Sequence, residues 1–272
     1  MLNPLPASKW TYATAAHLLN RAGFGGTPAE INRLVALGAE KAVSSLVDYE
    51  TVPDNTSPPD WAKPDADRGK KLADIQVLRR QARIASPEQK KELEEKVRIM
   101  QRQLIRNQIQ DVLDLRGWWL QRMANGLRPL QEKLTLFWHG HFATSAQKVR
   151  DAYYMYLQNE TFRRNASGNW LQMLKDVTCD PAMLVWLDQA QSRKQHPNEN
   201  YAREVMELFT LGEGHYTEND ISEAARAFTG LMLDRLNQKA VYRPFQHDNS
   251  SKTVLGKTGN LDWQDVLEQI VA

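Results

Sequence analysis

From Glu88 to about Ala124 the chain can run as one unbroken helix, and that segment constrains the fold more than any other. Leu93, Val97, Met100 and Leu104 recur at spacings of four, three and four. Ile109, Val112, Leu115 or Arg116, Trp119 and Met123 continue the stripe. Ser86-Pro87-Glu88 reads as a helix start, with proline tolerated in the first turn and a carboxylate near the positive end of the helix dipole. A shorter arm, KKLADIQVLRRQARIA, precedes this break, so residues 68–127 are predicted to form a helical hairpin. Its first part is charged on most faces and is expected to project from the body, with its basic face solvated rather than bound to nucleic acid. Its second part, from Val112 onward, is expected to enter the core.

Helical punctuation continues on both sides. A first helix is predicted from about Ala13 to Ala22, with Ala16, Leu18 and Leu19 on its apolar face. The Gly23-Phe24-Gly25-Gly26 stretch that follows fits a stop with positive φ. Thr27-Pro28-Ala29-Glu30 has the capping-box pattern and opens a helix that Gly38 closes. A third helix spans about Glu40 to Tyr49. Residues 51–67, with Pro53, Pro58, Pro59 and Pro64, read as a linker. From Arg128 the aromatic density rises, and helices are predicted over about Lys148–Asn165, through NWLQMLKDVT and PAMLVWLDQ, and over Glu199–Leu211. Thr217 opens a further helix carrying Ala224, Ala225 and Phe228. Only residues 239–258 look strand-like, with Ala240 and Tyr242, then Thr253, Val254 and Leu255, flanking a polar turn. The expected fold is therefore mainly α, a multi-helix globular bundle with a long projecting helical hairpin and a small C-terminal β-hairpin. Its regions are 1–50 (N-terminal helices), 51–67 (linker), 68–127 (hairpin) and 128–272 (core helices and candidate site). Leu261, Val266, Leu267 and Ile270 form a last apolar stripe with nothing after it to pack beneath, so the chain is expected to continue beyond residue 272.

Composition narrows the function. With 42% hydrophobic and 25% charged residues the chain is an ordinary globular one, and 35 basic against 33 acidic side chains give no field that would announce nucleic acid or an anionic membrane. Cys179 stands alone, which excludes an intrachain disulfide, a zinc knuckle and an Fe–S cluster. No stretch has the roughly 18 to 20 apolar residues of a membrane helix, and the N-terminal sequence has no signal-peptide pattern. The cytoplasm is the default expectation for location, although a leader already removed would leave the same sequence. The oligomeric state is open.

Three polar clusters interrupt the apolar pattern. In Trp138-His139-Gly140-His141-Phe142 a glycine between two imidazoles would let the chain bend so that both face one centre, as metal ligands or as proton-transfer groups. The alternative is a pair of histidines bonded to backbone carbonyls at a helix end. In the second cluster, His196 to Phe209, Asn200, Arg203, Glu204 and Glu207 share a polar helix face that suits either an oxygen-rich metal site or an ion-pair network. The third, Phe245 to Lys252, offers His247, Asp248 and Lys252 in a turn, either to hold an anionic group and a metal or as an ordinary solvated turn. No P-loop, G-x-S-x-G, H-E-x-x-H, Rossmann glycine pattern or helical E-x-x-H is present.

LLNRAGFGGTPAEI, LRPLQEKLTLFWHGHFATS, NENYAREVMELFTLGEGHYTENDISEAARAFTG and HDNSSKTVLGKTG together resemble the bacterial family called domain of unknown function 1800, over most of the chain outside residues 51–110. The resemblance brings no reaction, cofactor or substrate. It implies that members continue past this chain's end, and it falls on the residues already singled out, together with Asp220, Glu223 and Arg226. Two readings follow. In one, three segments converge on an enzyme site for hydrolysis or group transfer. His139, His141, Glu204 and Lys252 are then catalytic, Asn198, Arg203, Arg226 and Asp248 bind substrate, and His139, His141, Asn200, Glu204 and His247 hold a divalent metal ion. In the other, the same groups form a buried network in a non-catalytic scaffold, and residues 68–110 bind a protein partner. A haem protein is a distant third, since eight tryptophans and six histidines permit it but no C-x-x-C-H is present.

Overall fold

The computed structural model describes residues 5–272, so the first four residues of the N-terminal region 1–50 lie outside the described residues. The described chain is mainly helical, with thirteen α-helices and two small antiparallel hairpins. It gathers into two compact units. The first comprises residues up to Pro58, Arg116–Ala143 and Phe162–Asn169, and the second comprises Pro59–Leu115, Thr144–Thr161 and Trp170–Ala272.

The first unit is built on α1 (Tyr12–Ala22), α2 (Pro28–Leu37) and α3 (Ala39–Val47). Local chemistry sets their ends. Thr27 Oγ1 accepts the Glu30 N–H at 3.3 Å while Glu30 Oε2 accepts the Thr27 N–H at 2.7 Å, so two otherwise orphaned donors are satisfied reciprocally. Gly38, at φ +78°, turns the chain directly from α2 into α3. The glycine-rich stop after α1 works differently from expectation. Gly23 has φ −158°, and the positive φ lies at Gly25, at +97°. Ala15, Leu19, Ile31, Leu34, Ala42 and Leu46 close the core between the three helices, with Ala16 and Leu18 only partly buried beside it. Each fully buried leucine or isoleucine contributes roughly 1.5–3 kcal/mol.

The hairpin forms as the periodicity predicts, from α4 (Arg68–Ile84) and α5 (Pro87–Asn125). At 1.5 Å per residue the 39-residue α5 is about 58 Å long. Ile75 and Ala82 of α4 and Val97 of α5 are buried, and further along α5 Leu115, not Arg116, takes the core position. Ile109, read as part of the inward stripe, is instead exposed. It lies about 120° around the helix from Val97 and Leu115, outside the seam that they define.

In the second unit the helix expected over Lys148–Asn165 is broken. A single turn, α7 (Ala146–Val149), ends at Arg150, which is left-handed at φ +53°, and α8 (Ala152–Arg164) starts afresh because Asp151 Oδ1 accepts the N–H groups of Tyr153 and Tyr154. α9 (Trp170–Thr178), α10 (Pro181–Trp186), α11 (Glu199–Glu204), α12 (Glu218–Ala227) and α13 (Trp263–Val271) surround a core that includes Met173, Met183, Met206, Ile221, Phe228 and Val266. Tyr201 stands edge-on to Phe228, with centroids 5.1 Å apart, and donates its hydroxyl proton to Thr178 Oγ1 at 2.7 Å. α11 does not continue as a regular helix to Leu211. It passes into a π turn, Val205–Thr210, in which the Leu211 N–H reaches back five residues to Met206 O at 2.9 Å. The last apolar stripe also departs from expectation, because Leu261, ahead of α13, and Val266, Leu267 and Ile270 within it are all buried, with α9 and α12 as neighbours of the helix.

The strand-like residues form two hairpins rather than one. β1 (Leu231–Asp234) pairs with β2 (Lys239–Tyr242) in the register Leu231↔Tyr242, and β3 (Lys252–Val254) pairs with β4 (Lys257–Gly259) in the register Lys252↔Gly259. Each turn carries its own chemistry. Asp234 Oδ1 accepts from the N–H groups of Leu236 and Asn237, while Leu255 and Gly256 adopt consecutive positive φ angles of +47° and +81°. The segment between β2 and β3 is thereby left out of any sheet.

Candidate functional site

His139 and His141 lie on the last turn of α6 (Pro129–His141), in the first unit. Gly140 is helical too, so the chain does not bend between the histidines, and residues two apart on a helix point about 200° away from each other. The two rings therefore have different surroundings. His139 packs against Trp119 and Phe162 with both centroid separations 4.6 Å, and burial together with the Arg163 charge pushes its pKa down to about 4. The ring is neutral at pH 7, with a proton affinity well below that wanted of a base working there. His141 sits among Phe137, Trp138 and Phe142.

Trp119 and the Arg163 charge join His139 to an ion cluster that the sequence did not single out. Glu132 Oε1 accepts from Arg122 Nε at 2.9 Å and from Arg163 Nε at 2.7 Å, Glu132 Oε2 accepts from Trp119 Nε1 at 2.9 Å, and Arg122 also donates to Asp54 Oδ2 at 2.7 Å. Arg122, Glu132 and Arg163 are all buried. Burial opposes ionisation of Glu132, but the two guanidiniums outweigh it and hold the carboxyl below its usual range. A cavity of about 150 Å³ opens beside the cluster, with Asp54, Arg122, Arg128 and Glu132 among its lining residues. Arg128 is occupied as well, donating to Val52 O at 2.7 Å. The available signal was a set of polar residues, Gln131, Glu132 and Thr135, at inward spacing on α6, with Arg122 inside an otherwise apolar stripe.

The other two clusters belong to the second unit, and α12 connects them. Asn198 caps α11, its Oδ1 accepting the Asn200 N–H at 3.1 Å and its Nδ2 donating to Leu187 O at 2.7 Å. Asn200 Nδ2 shares that carbonyl at 3.4 Å. Arg203 pairs through both guanidinium nitrogens with Glu218, the first residue of α12. Glu204 makes no ion pair among the described residues. Burial raises its carboxyl pKa, Glu207 adds to the rise, and the nearby Arg203 charge only partly offsets them, while Glu207 itself accepts the Tyr216 hydroxyl at 2.8 Å.

Further along α12, Arg226 holds the turn that carries His247, Asp248 and Lys252. Its Nε donates to Asp248 Oδ2 and its Nη1 to Glu223 Oε1, both at 2.7 Å, and its Nη2 reaches Ser250 Oγ. Burial pushes the Asp248 carboxyl up, but Arg226 and Ser250 outweigh it and hold the group far below the carboxylate range. Two α12 carboxylates also pin β3 and its turn, Glu223 accepting the Thr253 N–H at 3.0 Å and Asp220 the Leu255 N–H at 2.7 Å. His247 is 3% exposed with Nδ1 3.0 Å from Thr229 O, and Lys252 is 1% exposed with Nζ donating to Ser250 O at 2.9 Å. Burial lowers the Lys252 pKa.

The structure thus brings the second and third clusters to one helix and places the H-x-H pair in the other unit. Among the described residues no three His, Cys, Asp or Glu side chains are grouped to hold a metal ion. The family model described as protein of unknown function (DUF1800) matches residues 17–272. The chain belongs to this family. No curated protein and no solved structure matches it. The match to DUF1800 covers the four strings on which the resemblance rested and also runs through the hairpin. Among the described residues, no helix of this DUF1800 chain is long and apolar enough to cross a membrane.

Proposed function

We propose that this DUF1800 chain is a non-catalytic helical scaffold whose α4–α5 hairpin presents a binding face to a protein partner. One observation carries the reading: Arg226, the most connected of the candidate residues, is used up in fastening the 248–253 segment to α12. Its guanidinium meets Asp248, Glu223 and Ser250, and the neighbouring His247 and Lys252 are closed off from solvent on backbone carbonyls. Groups that hold each other in this way set a conformation and leave no face for a substrate. The Arg122–Glu132–Arg163 cluster is likewise held together by its own ion pairs, with a cavity opening beside it.

A second reading, a metal-dependent hydrolase or group-transfer enzyme, is favoured by a different observation. Glu204, its pKa raised by burial and by Glu207, follows Asn200 by four residues on the helix that leads into a π turn, a rare element frequent at functional sites. Glu204, Glu207 and the Asn200 amide oxygen would then supply oxygen ligands to a hard cation.

Elemental analysis separates the two. The chain is incubated with zinc, manganese or calcium, dialysed and assayed beside Glu204→Ala. The scaffold reading expects no retained metal in either protein. Near-stoichiometric metal that is lost in the variant would overturn it in favour of the enzyme.

A further inference from the structure

On the face of α5 turned away from its buried seam, Ile99, Ile105, Ile109 and Leu113 are 57%, 60%, 58% and 51% exposed. At 100° per residue these four fall within an arc of about 120°, whereas Val97 and Leu104 lie on the far side of the helix. From residue 98 to residue 113 the same arc holds three other side chains, Arg98, Arg102 and Arg106, all exposed. The stripe therefore alternates branched apolar groups with guanidiniums over about 21 Å and contains no carboxylate. Arg98 leans on Glu95 at 3.1 Å, but Arg102 and Arg106 have no carboxylate partner among the described residues. As like charges four residues apart, these two also work against the helix that carries them.

From this juxtaposition we infer that the outer face of α5 is a docking site for an acidic amphipathic helix of a partner protein. The inference rests on the scaffold reading and supplies its partner class. Charge complementarity selects the occupant. A helix laid along the stripe covers the four apolar side chains with its own apolar residues and brings Glu or Asp from its flanks to Arg102 and Arg106. A second copy of this chain is a poor occupant, because its stripe offers arginine where carboxylate is needed. A membrane surface fits less well too. Helices that lie in a bilayer interface keep their charges on the face opposite their apolar residues, whereas Arg102 lies in the middle of this apolar arc. Branched apolar groups between the arginines give a nucleic acid nothing to bind.

The test uses the 272-residue chain and two fluorescein-labelled synthetic helical peptides of about 21 residues, one with leucine at its core positions and glutamate beside them, the other with lysine in place of every glutamate. Anisotropy is expected to show the glutamate peptide binding at least tenfold more tightly than the lysine peptide at 50 mM NaCl, with the gap closing at 500 mM. R102E/R106E is expected to reverse the preference, and Ile105→Asp with Ile109→Asp to abolish binding of both peptides, circular dichroism showing both variants folded. Equal binding of the two peptides, no binding of either, or binding unchanged in the variants overturns the inference. So does attachment to phosphatidylserine vesicles or to a 30-base-pair duplex that R102E/R106E removes. Failure here without retained metal rejects this partner class alone, while retained metal with intact glutamate-peptide binding rejects the non-catalytic reading alone.

Discussion

Asp180 Oδ1 accepts from Gln158 Nε2 at 2.9 Å and from the Met183 N–H at 2.8 Å, while its Oδ2, equally buried, meets no donor. Burial is the larger influence and pushes the carboxyl up to about 7, from 3.8 for an unperturbed aspartate. A folded chain that keeps this proton loses stability as the pH rises, because above pH 4 the unfolded chain has already given its proton up. The loss grows from about pH 4 to about pH 7 and is on the order of 4 kcal/mol when complete. Asp180→Asn keeps the helix cap and removes the titration. Urea unfolding is expected to find the variant close to the parent at pH 4 and clearly more stable at pH 8, and equal stabilities at both pH values would refute the assignment.

His139 has the opposite slope. Its folded pKa of about 4 lies below the 6.5 of an unperturbed imidazole, so between these values the unfolded chain binds a proton that the folded chain refuses. Stability is present above pH 6.5 and is lost as the pH falls toward 4, by up to about 3 kcal/mol. His139→Phe keeps an aromatic ring between Trp119 and Phe162 and removes this loss. With both groups present the two slopes partly cancel between pH 4 and 6.5. Asp180→Asn should therefore make stability rise with pH across that window and His139→Phe should make it fall. If both variants show the same sign, one of the two assignments is wrong.

Glu132 is shared by two buried guanidiniums. Glu132→Gln removes that shared carboxylate, leaving Arg122 its pair with Asp54, and is expected to cost about 3–5 kcal/mol, the usual penalty for breaking a buried pair from one side. The folded carboxyl titrates below its unperturbed value of 4.5, so its contribution is intact above pH 4.5 and is lost as the pH falls through the folded value. Acid unfolding followed by the fluorescence of Trp118 and Trp119 should show a step in the parent that the variant lacks. A cost under about 1 kcal/mol would mean that the cluster holds nothing together.

Arg226→Leu should free the turn without melting the core. Hydrogen exchange is expected to rise in residues 248–253, with protection kept in α9 and α13, at a cost of about 2 kcal/mol. Arg226→Lys should recover only part of it, since one ammonium cannot serve Asp248, Glu223 and Ser250 in the planar fork that the guanidinium uses. Unchanged exchange in 248–253 would remove the observation on which the scaffold reading stands.

What could be read in the sequence was local. Thr27 with Glu30 and Thr217 with Asp220 declare their helix starts within four residues, and the α4–α5 hairpin follows from a period sustained along the whole arm. What escaped depends on distant partners. Nothing near Glu132 points to Arg163, 31 residues on, or places Asp54 beside Arg122. The H-x-H pair failed in a third way, since Gly140 permits a bend but the hydrogen bonds of α6 carry the helix through it. The single expected hairpin became two because Arg226, on a helix before the strands, claims the residues that were expected to form its turn.

The π turn at Val205–Thr210 fixes a phase. Its wider turn shifts every residue after it around the helix axis relative to an α-helical continuation of α11. Removing one residue from this segment is therefore expected to give a regular helix here and to turn Glu207 and Leu211 toward different neighbours.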